Sequence, residues 1–184
     1  MTLMSFMTVV IVGATAEIYS GTKRIDNTAE VRDQVDNSFR RLDREMRYAN
    51  WVSKPGYVPA SGSWYVEFAT PDGCRQLKLS KGVLTMASWK ADSPRGAPMP
   101  LAAGIEVISG GPDPIVRYRP GDQPYLSASP SSGMGANYQL VFQQVRLRFT
   151  IKAGSVTLPF DSVFTAQNTD KDTTETNPCD GGRV

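Results

Sequence analysis

The chain has 184 residues, 20 Lys and Arg against 18 Asp and Glu, and no histidine. That length suffices for one good core, and the interspersed charge, net +2, offers no clustered basic face for nucleic acid. Without imidazole the commonest general base, the commonest metal ligand and every His-dependent triad are missing, so neither an enzyme nor a cofactor is expected.

The first fifty residues read as one unit. Met1 to Ala16 (MTLMSFMTVVIVGATA) is uncharged and apolar, and no Pro interrupts the stretch from there to Ala49. As a helix, sixteen residues span roughly 24 Å, short of the ~30 Å bilayer core that takes about 20 residues. The run lacks the basic start of a cleavable signal. Met1, Leu3, Phe6, Val9, Val10, Ile11, Val12 and Ile18 carry its apolar character. Val9 to Val12 point all round a helix with no second helix to bury them. The chain is therefore expected to begin inside a longer apolar helix.

From Val31 the apolar residues Val31, Val35, Phe39, Leu42, Met46 and Ala49 follow steps of four and three, the period of one helix face. Seven acidic and seven basic residues between Glu17 and Arg47 leave that stretch neutral. Opposite charges four apart, such as Arg41 with Glu45 and Asp43 with Arg47, add a few tenths of a kcal/mol each. The face Val31, Val35, Phe39, Leu42 and Met46 is expected to lie on a sheet.

After Pro55 the texture changes to short runs broken by Gly and Pro. KPGYVPASGS reads as a loop, Trp64 to Ala69 as a strand and Pro71-Asp72-Gly73 as a turn. Cys74 to Leu79 and Val83 to Lys90 flank Ser80-Lys81-Gly82, a compact hairpin signal. Ala91 to Pro100 reads as irregular and Ile105 to Ile108 as a short strand, followed by a Gly/Pro/Ser-rich region up to Gly135. Tyr138 to Lys152 alternates as a strand, with a phase slip at Gln143-Gln144 that suits a bulge. Ala153-Gly154-Ser155 is a turn, Val156 to Asn168 the returning strand, and Thr169 to Val184 a polar tail. The expected fold is α+β, a long N-terminal helix, apolar then amphipathic, packed on an antiparallel sheet. Its parts are the helix (1–50), a β-rich domain (51–168) and the tail (169–184). Cys74 and Cys179 have no metal-binding spacing; outside the cytoplasm they could pair and close a loop of about a hundred residues, worth ~3–5 kcal/mol. Two unrelated buried thiols are the alternative.

An apolar helix running into a charged amphipathic one (SFMTVVIVGATAEIYSGTKRIDNTAEVRDQVDNSFRRLDREMRYAN) and then into a strand-rich domain resembles the type IV pilin superfamily, and more narrowly the minor pseudopilins. The hairpin CRQLKLSKGVLTMASW and the closing VTLPFDSVFTAQNT with a nearby Cys are similar to exported Gram-positive members. The resemblance implies a structural subunit, a minor pilin or pseudopilin of a pilus or type II secretion-like filament. Its apolar helix would sit in the cell membrane as a single pass and then among other pilin-like subunits, with the β domain extracytoplasmic. It also implies that the family's basic leader, cleavage site and register-setting Glu would lie ahead of Met1.

A second reading is a membrane-anchored surface binding module, with Tyr118, Tyr125, Tyr138 and the loop Gly121 to Gly135 as its contact surface. The serines Ser127, Ser129, Ser131 and Ser132 have no base among histidines. No GxSxG or phosphate-cradling loop occurs. Asp161, or Asp170 with Asp172, could meet a calcium ion, but their spacing is not that of an EF-hand.

Overall fold

The computed structural model describes residues 2–90, 93–108, 110–124, 139–154, 156–169 and 176–179. Within these it describes only the backbone for residues 2–6, 8–10, 24, 27–28, 30–32, 34, 153 and 156. Among the described residues, helix α1 (Thr2–Arg47) is followed by ten strands. They are β1 (Trp51–Val52), β2 (Gly56–Val58), β3 (Ser63–Thr70), β4 (Gly73–Ser80), β5 (Val83–Trp89), β6 (Met99–Ala102), β7 (Ile105–Glu106), β8 (Ile115–Tyr118), β9 (Gln143–Ala153) and β10 (Val156–Ala166).

These strands form two antiparallel sheets. The first has six strands in the order β1-β3-β4-β5-β6, with β2 also pairing β3; the second has four, β10-β9-β7, with β8 also pairing β9. This corrects the expected α+β fold of a long N-terminal helix lying on one sheet. The chain is mostly β, and its helical side chains are described mainly in two short stretches, 11–23 and 35–47. Only the second of these enters the core. The physical reason is supply of apolar surface: the inner faces of the sheets meet the helix from Val35 onward, and every described side chain from Ile11 to Lys23 is exposed.

One core joins the three layers. Phe39, Leu42 and Met46 from α1, with Ala49 just after it, meet Val66, Phe68, Leu77, Leu79, Leu84 and Met86 of the first sheet and Val145, Leu147, Phe149, Ile151 and Phe164 of the second. The alternation of the strands produces this. Along β9 the odd positions Val145, Leu147, Phe149 and Ile151 are buried while Arg146, Arg148 and Thr150 face outward. Phe39 stacks on Phe160 with ring centroids 4.2 Å apart, and Phe160 on Phe149 at 4.9 Å.

The β4–β5 hairpin of the first sheet follows its turn chemistry. Lys81 and Gly82 both have positive φ (49° and 74°), the two-residue turn that matches the twist of β4 and β5. The chain passes from the first sheet to the second at Ala103-Gly104. A side chain at Gly104 (φ 71°) would come within 2.4 Å of the Lys152 carbonyl, so the crossing requires glycine. The Lys152 amide donates to the Gly104 carbonyl (2.8 Å) and the Ile105 amide to the Gly82 carbonyl (2.9 Å), pinning both sheets to this corner.

Three strands lie in segments read as loop or irregular. β2 falls within KPGYVPASGS, where Gly56 to Val58 pair with Ser63 to Tyr65 of β3. β6 runs through Met99 and Pro100, and β8 through the Gly/Pro-rich region, where Ile115 pairs with Leu147. Pro100 is tolerated because β6 is the last strand of its sheet. The expected bulge at Gln143-Gln144 is corrected. The β9–β10 register runs unbroken from Gln143 opposite Ala166 to Ala153 opposite Val156, and an irregularity falls instead between Leu84 and Thr85 on β5. The phase slip marks where β9 starts: Phe142, just before it, is exposed, while Gln143 is buried and its amide donates to Thr169 Oγ1 at 2.8 Å.

The outer face of the first sheet has its own small core of Trp51, Ala69, Cys74, Trp89 and Cys179. Here the chain end is tied down: Cys74 and Cys179 form a disulfide across 105 residues of sequence. Beside it, buried Glu67 accepts a hydrogen bond from Gln76 Nε2 (3.0 Å), and Gln76 in turn accepts one from Arg95.

Three outcomes follow for stability. Replacing both cysteines (Cys74→Ser with Cys179→Ser) is expected to cost about 2–5 kcal/mol, because the bond closes a long loop, read as a lower midpoint in denaturant melts. Leu42→Ala, at a fully buried site, is expected to cost about 2–5 kcal/mol. Ile18→Ala is expected to change stability by no more than about 0.5 kcal/mol, since its side chain is exposed. Equal losses at the two positions would contradict the division of the helix.

Candidate assembly surface

The upper helix stretch exposes apolar side chains that the body does not cover. Ile11, Ile18 and Ile25 are 62%, 70% and 70% exposed, and Met7, Val12 and Tyr19 are exposed as well. The three isoleucines recur every seven residues, which keeps them on one side of a helix. Three residues beyond the first two stand Ala14 and Gly21, and a side chain at Gly21 would meet nothing within 4 Å. The result is a ridge of isoleucines edged by small residues, a shape that lets a second helix approach closely.

Three hydroxyls on this stretch are satisfied within the helix. Thr15 Oγ1 donates to the Ile11 carbonyl (2.7 Å), Ser20 Oγ to the Glu17 carbonyl (2.9 Å) and Thr22 Oγ1 to the Ile18 carbonyl (3.0 Å). Hydroxyls bonded in this way can enter an apolar environment without leaving a donor unpaired. Among the described residues, no helix is long and apolar enough to cross a membrane.

The same register continues into the body. Counting in sevens from Ile25 leads through Arg32 to Phe39 and Met46, and the positions three further on are Val35, Leu42 and Ala49. Phe39, Leu42, Met46 and Ala49 are buried, and Val35 packs partly buried against them. One side of the helix is thus spent on the sheets below Val35 and open above it. The four-three spacing of the lower half stood out in the sequence; the seven-residue spacing of Ile11, Ile18 and Ile25 was equally present but was obscured by Val9, Val10 and Val12 around it.

Of the residues singled out in the sequence, Ile11, Val12 and Ile18 are on the exposed stretch and Phe39, Leu42 and Met46 are in the core. Met1 lies outside the described residues, as do the side chains of Leu3, Phe6, Val9, Val10 and Val31. Tyr125, Tyr138, the four serines, Asp170 and Asp172 also lie outside them. Tyr118 is half-buried on β8, and no group of three or more potential metal ligands occurs among the described residues.

Where the helix meets the first sheet, Glu45 is shared between Arg75 on β4 (2.8 Å) and Arg41 one turn back (3.2 Å). A cluster of charges faces outward on the second sheet. Arg146 grips Asp161 through two bonds of 2.7 Å, and Arg148 adds a third at 3.1 Å. These guanidiniums hold the Asp161 carboxyl below its usual range, the hydrogen bond from Arg146 first among the causes, and leave it committed to its own sheet.

No protein-family model, curated protein or solved structure matches this chain.

A depressed carboxyl pKa contributes stability that is present above the unfolded value, about 3.9, and is lost as pH falls through the folded value. Asp161 is 42% exposed at its side chain, so the contribution is expected to stay below about 1 kcal/mol. Melts of wild type and Asp161→Asn between pH 7 and pH 2 check this: the difference at neutral pH is expected to vanish in acid. A difference that grew on acidification would be the wrong sign.

Proposed function

We propose that this chain is a structural subunit that assembles through the exposed stretch of its helix, in the manner of a minor pilin or pseudopilin. The observation that carries the reading is the ridge of Ile11, Ile18 and Ile25, exposed on a stretch that the β body leaves uncovered. Full burial of an isoleucine is worth about 1.5–3 kcal/mol, so three such residues supply several kcal/mol to an assembly and nothing to the isolated chain. Ala14 and Gly21 favour neighbouring helices as the cover, because small side chains give an advantage only where another backbone comes close. The apolar run at the start of the sequence is the segment that would sit in a membrane, from which subunits would enter a filament. The disulfide suits an oxidising compartment and therefore a body outside the cytoplasm.

The test places a photo-crosslinking residue at Ile18 or, as a control, at exposed Lys81 on the β4–β5 turn, in the full chain in the cells that produce it. From position 18 a ladder of products is expected, its partners identified by mass spectrometry as pilin-like chains. From position 81 that ladder should be missing. Ile11→Asp combined with Ile18→Asp should reduce the product at a probe placed on Ile25 by about tenfold or more, at unchanged melting temperature. A chain that crosslinks to nothing from position 18, or equally from both positions, would sink the proposal.

A further inference from the structure

The outer face of the first sheet carries one row of residues that four strands bring into register. Trp51 of β1 stands opposite Ala69 of β3, Ala69 opposite Cys74 of β4, and Cys74 opposite Trp89 of β5. Two indoles therefore flank two small side chains, which makes a trough across the sheet with Ala69 and Cys74 as its floor. All four are buried, although the outer face of an antiparallel sheet ordinarily meets water. Their cover is Cys179, the one residue of this small core that comes from outside the sheet.

The strap that brings Cys179 there is Thr176 to Cys179. Thr176 and Pro178 are exposed, and Asn177 is half-buried, its Oδ1 accepting a hydrogen bond from the Cys179 amide (2.8 Å). Cys179 is thus the only buried side chain of the strap. Fixing four residues on a surface costs more conformational entropy than the burial of one small side chain returns. The polar groups of the strap exchange protein partners for water at little net cost. The covalent bond to Cys74 therefore decides whether the strap stays.

We propose that this strap is a redox latch over the trough. In a reducing compartment the two thiols part, the strap lifts, and Trp51 and Trp89 stand open on either side of the Cys74 thiol. Transfer to an oxidising compartment shuts it. A small-molecule disulfide takes two electrons and two protons from the thiols of Cys74 and Cys179, leaves as two thiols, and one S–S bond forms in the protein. A dithiol reverses the step and is itself oxidised to a disulfide as the protein bond breaks. The body beneath keeps its own reason to stay folded. Its core of helix and sheets lies on the other face of the first sheet and shares none of these five residues. The latch works on the β body alone, whatever the helix assembles with.

The test compares the full chain with and without excess dithiothreitol. Acrylamide quenching of tryptophan fluorescence is expected to rise by about twofold or more on reduction, because two of the three tryptophans become accessible while the sheets stay intact. Far-UV circular dichroism should not change. Cys179→Ser isolates the bond from the reductant. In that variant Cys74 is expected to react with a maleimide within about tenfold of its rate in the denatured chain, with a cooperative melt retained. Quenching that reduction leaves unchanged, or a Cys74 slower than that margin, would show that packing alone holds the strap and would overturn the proposal. So would a reduced chain or a variant without a cooperative melt, since the bond would then be a staple of the body rather than a latch.

Discussion

The stacking of Phe39 against Phe160, with Phe149 and Phe164 around it, is where the last turns of the helix become part of the body. Both sheets turn inner faces that need cover, and Leu42, Met46 and Ala49 continue that cover from the second sheet toward the first. A helix pinned by this aromatic cluster leaves the rest of its length to other surfaces. The exposure of Ile11, Ile18 and Ile25 follows from that single anchorage.

The anchorage is reinforced at the helix end. Glu45 joins helix to sheet through Arg75, the Gln167 amide donates to the Arg47 carbonyl (3.1 Å), and Asn168 Nδ2 reaches the Tyr48 carbonyl (3.3 Å). Since β10 ends at Ala166, the last carbonyls of the helix are satisfied by the chain that leaves the second sheet. On the far side of the first sheet, the disulfide holds Cys179 over Trp51 and Trp89. The body is thus closed at the helix, at the Gly104 corner and at the C-terminal bond.

Much of this was legible in the residues. The hairpin of β4 and β5 announced itself through Lys81-Gly82, and the β9–β10 pair through the alternation from Val145 to Ile151. The helix face that reaches the core was visible in the spacing of Phe39, Leu42 and Met46. Other parts were hidden for identifiable reasons. β6 contains Pro100 and only four residues, and β8 sits in a stretch of Gly and Pro where four residues of alternation carry no statistical weight.

The sequence by itself determined the local choices: which turns need glycine, which strand positions face inward, and which side of the helix is apolar. These depend on backbone sterics and on periods of two and of three to four residues, all of which are written in neighbouring positions. Tertiary structure alone decided that the strands divide into two sheets, that among the helix's described side chains those from Val35 onward reach the core while Ile11, Ile18 and Ile25 stay exposed, and that Cys74 meets Cys179. Those outcomes depend on how much apolar area each distant segment can offer to another. The Gly104 corner shows the boundary between the two kinds of information: the glycine is in the sequence, but the Lys152 carbonyl that makes it necessary is 48 residues away.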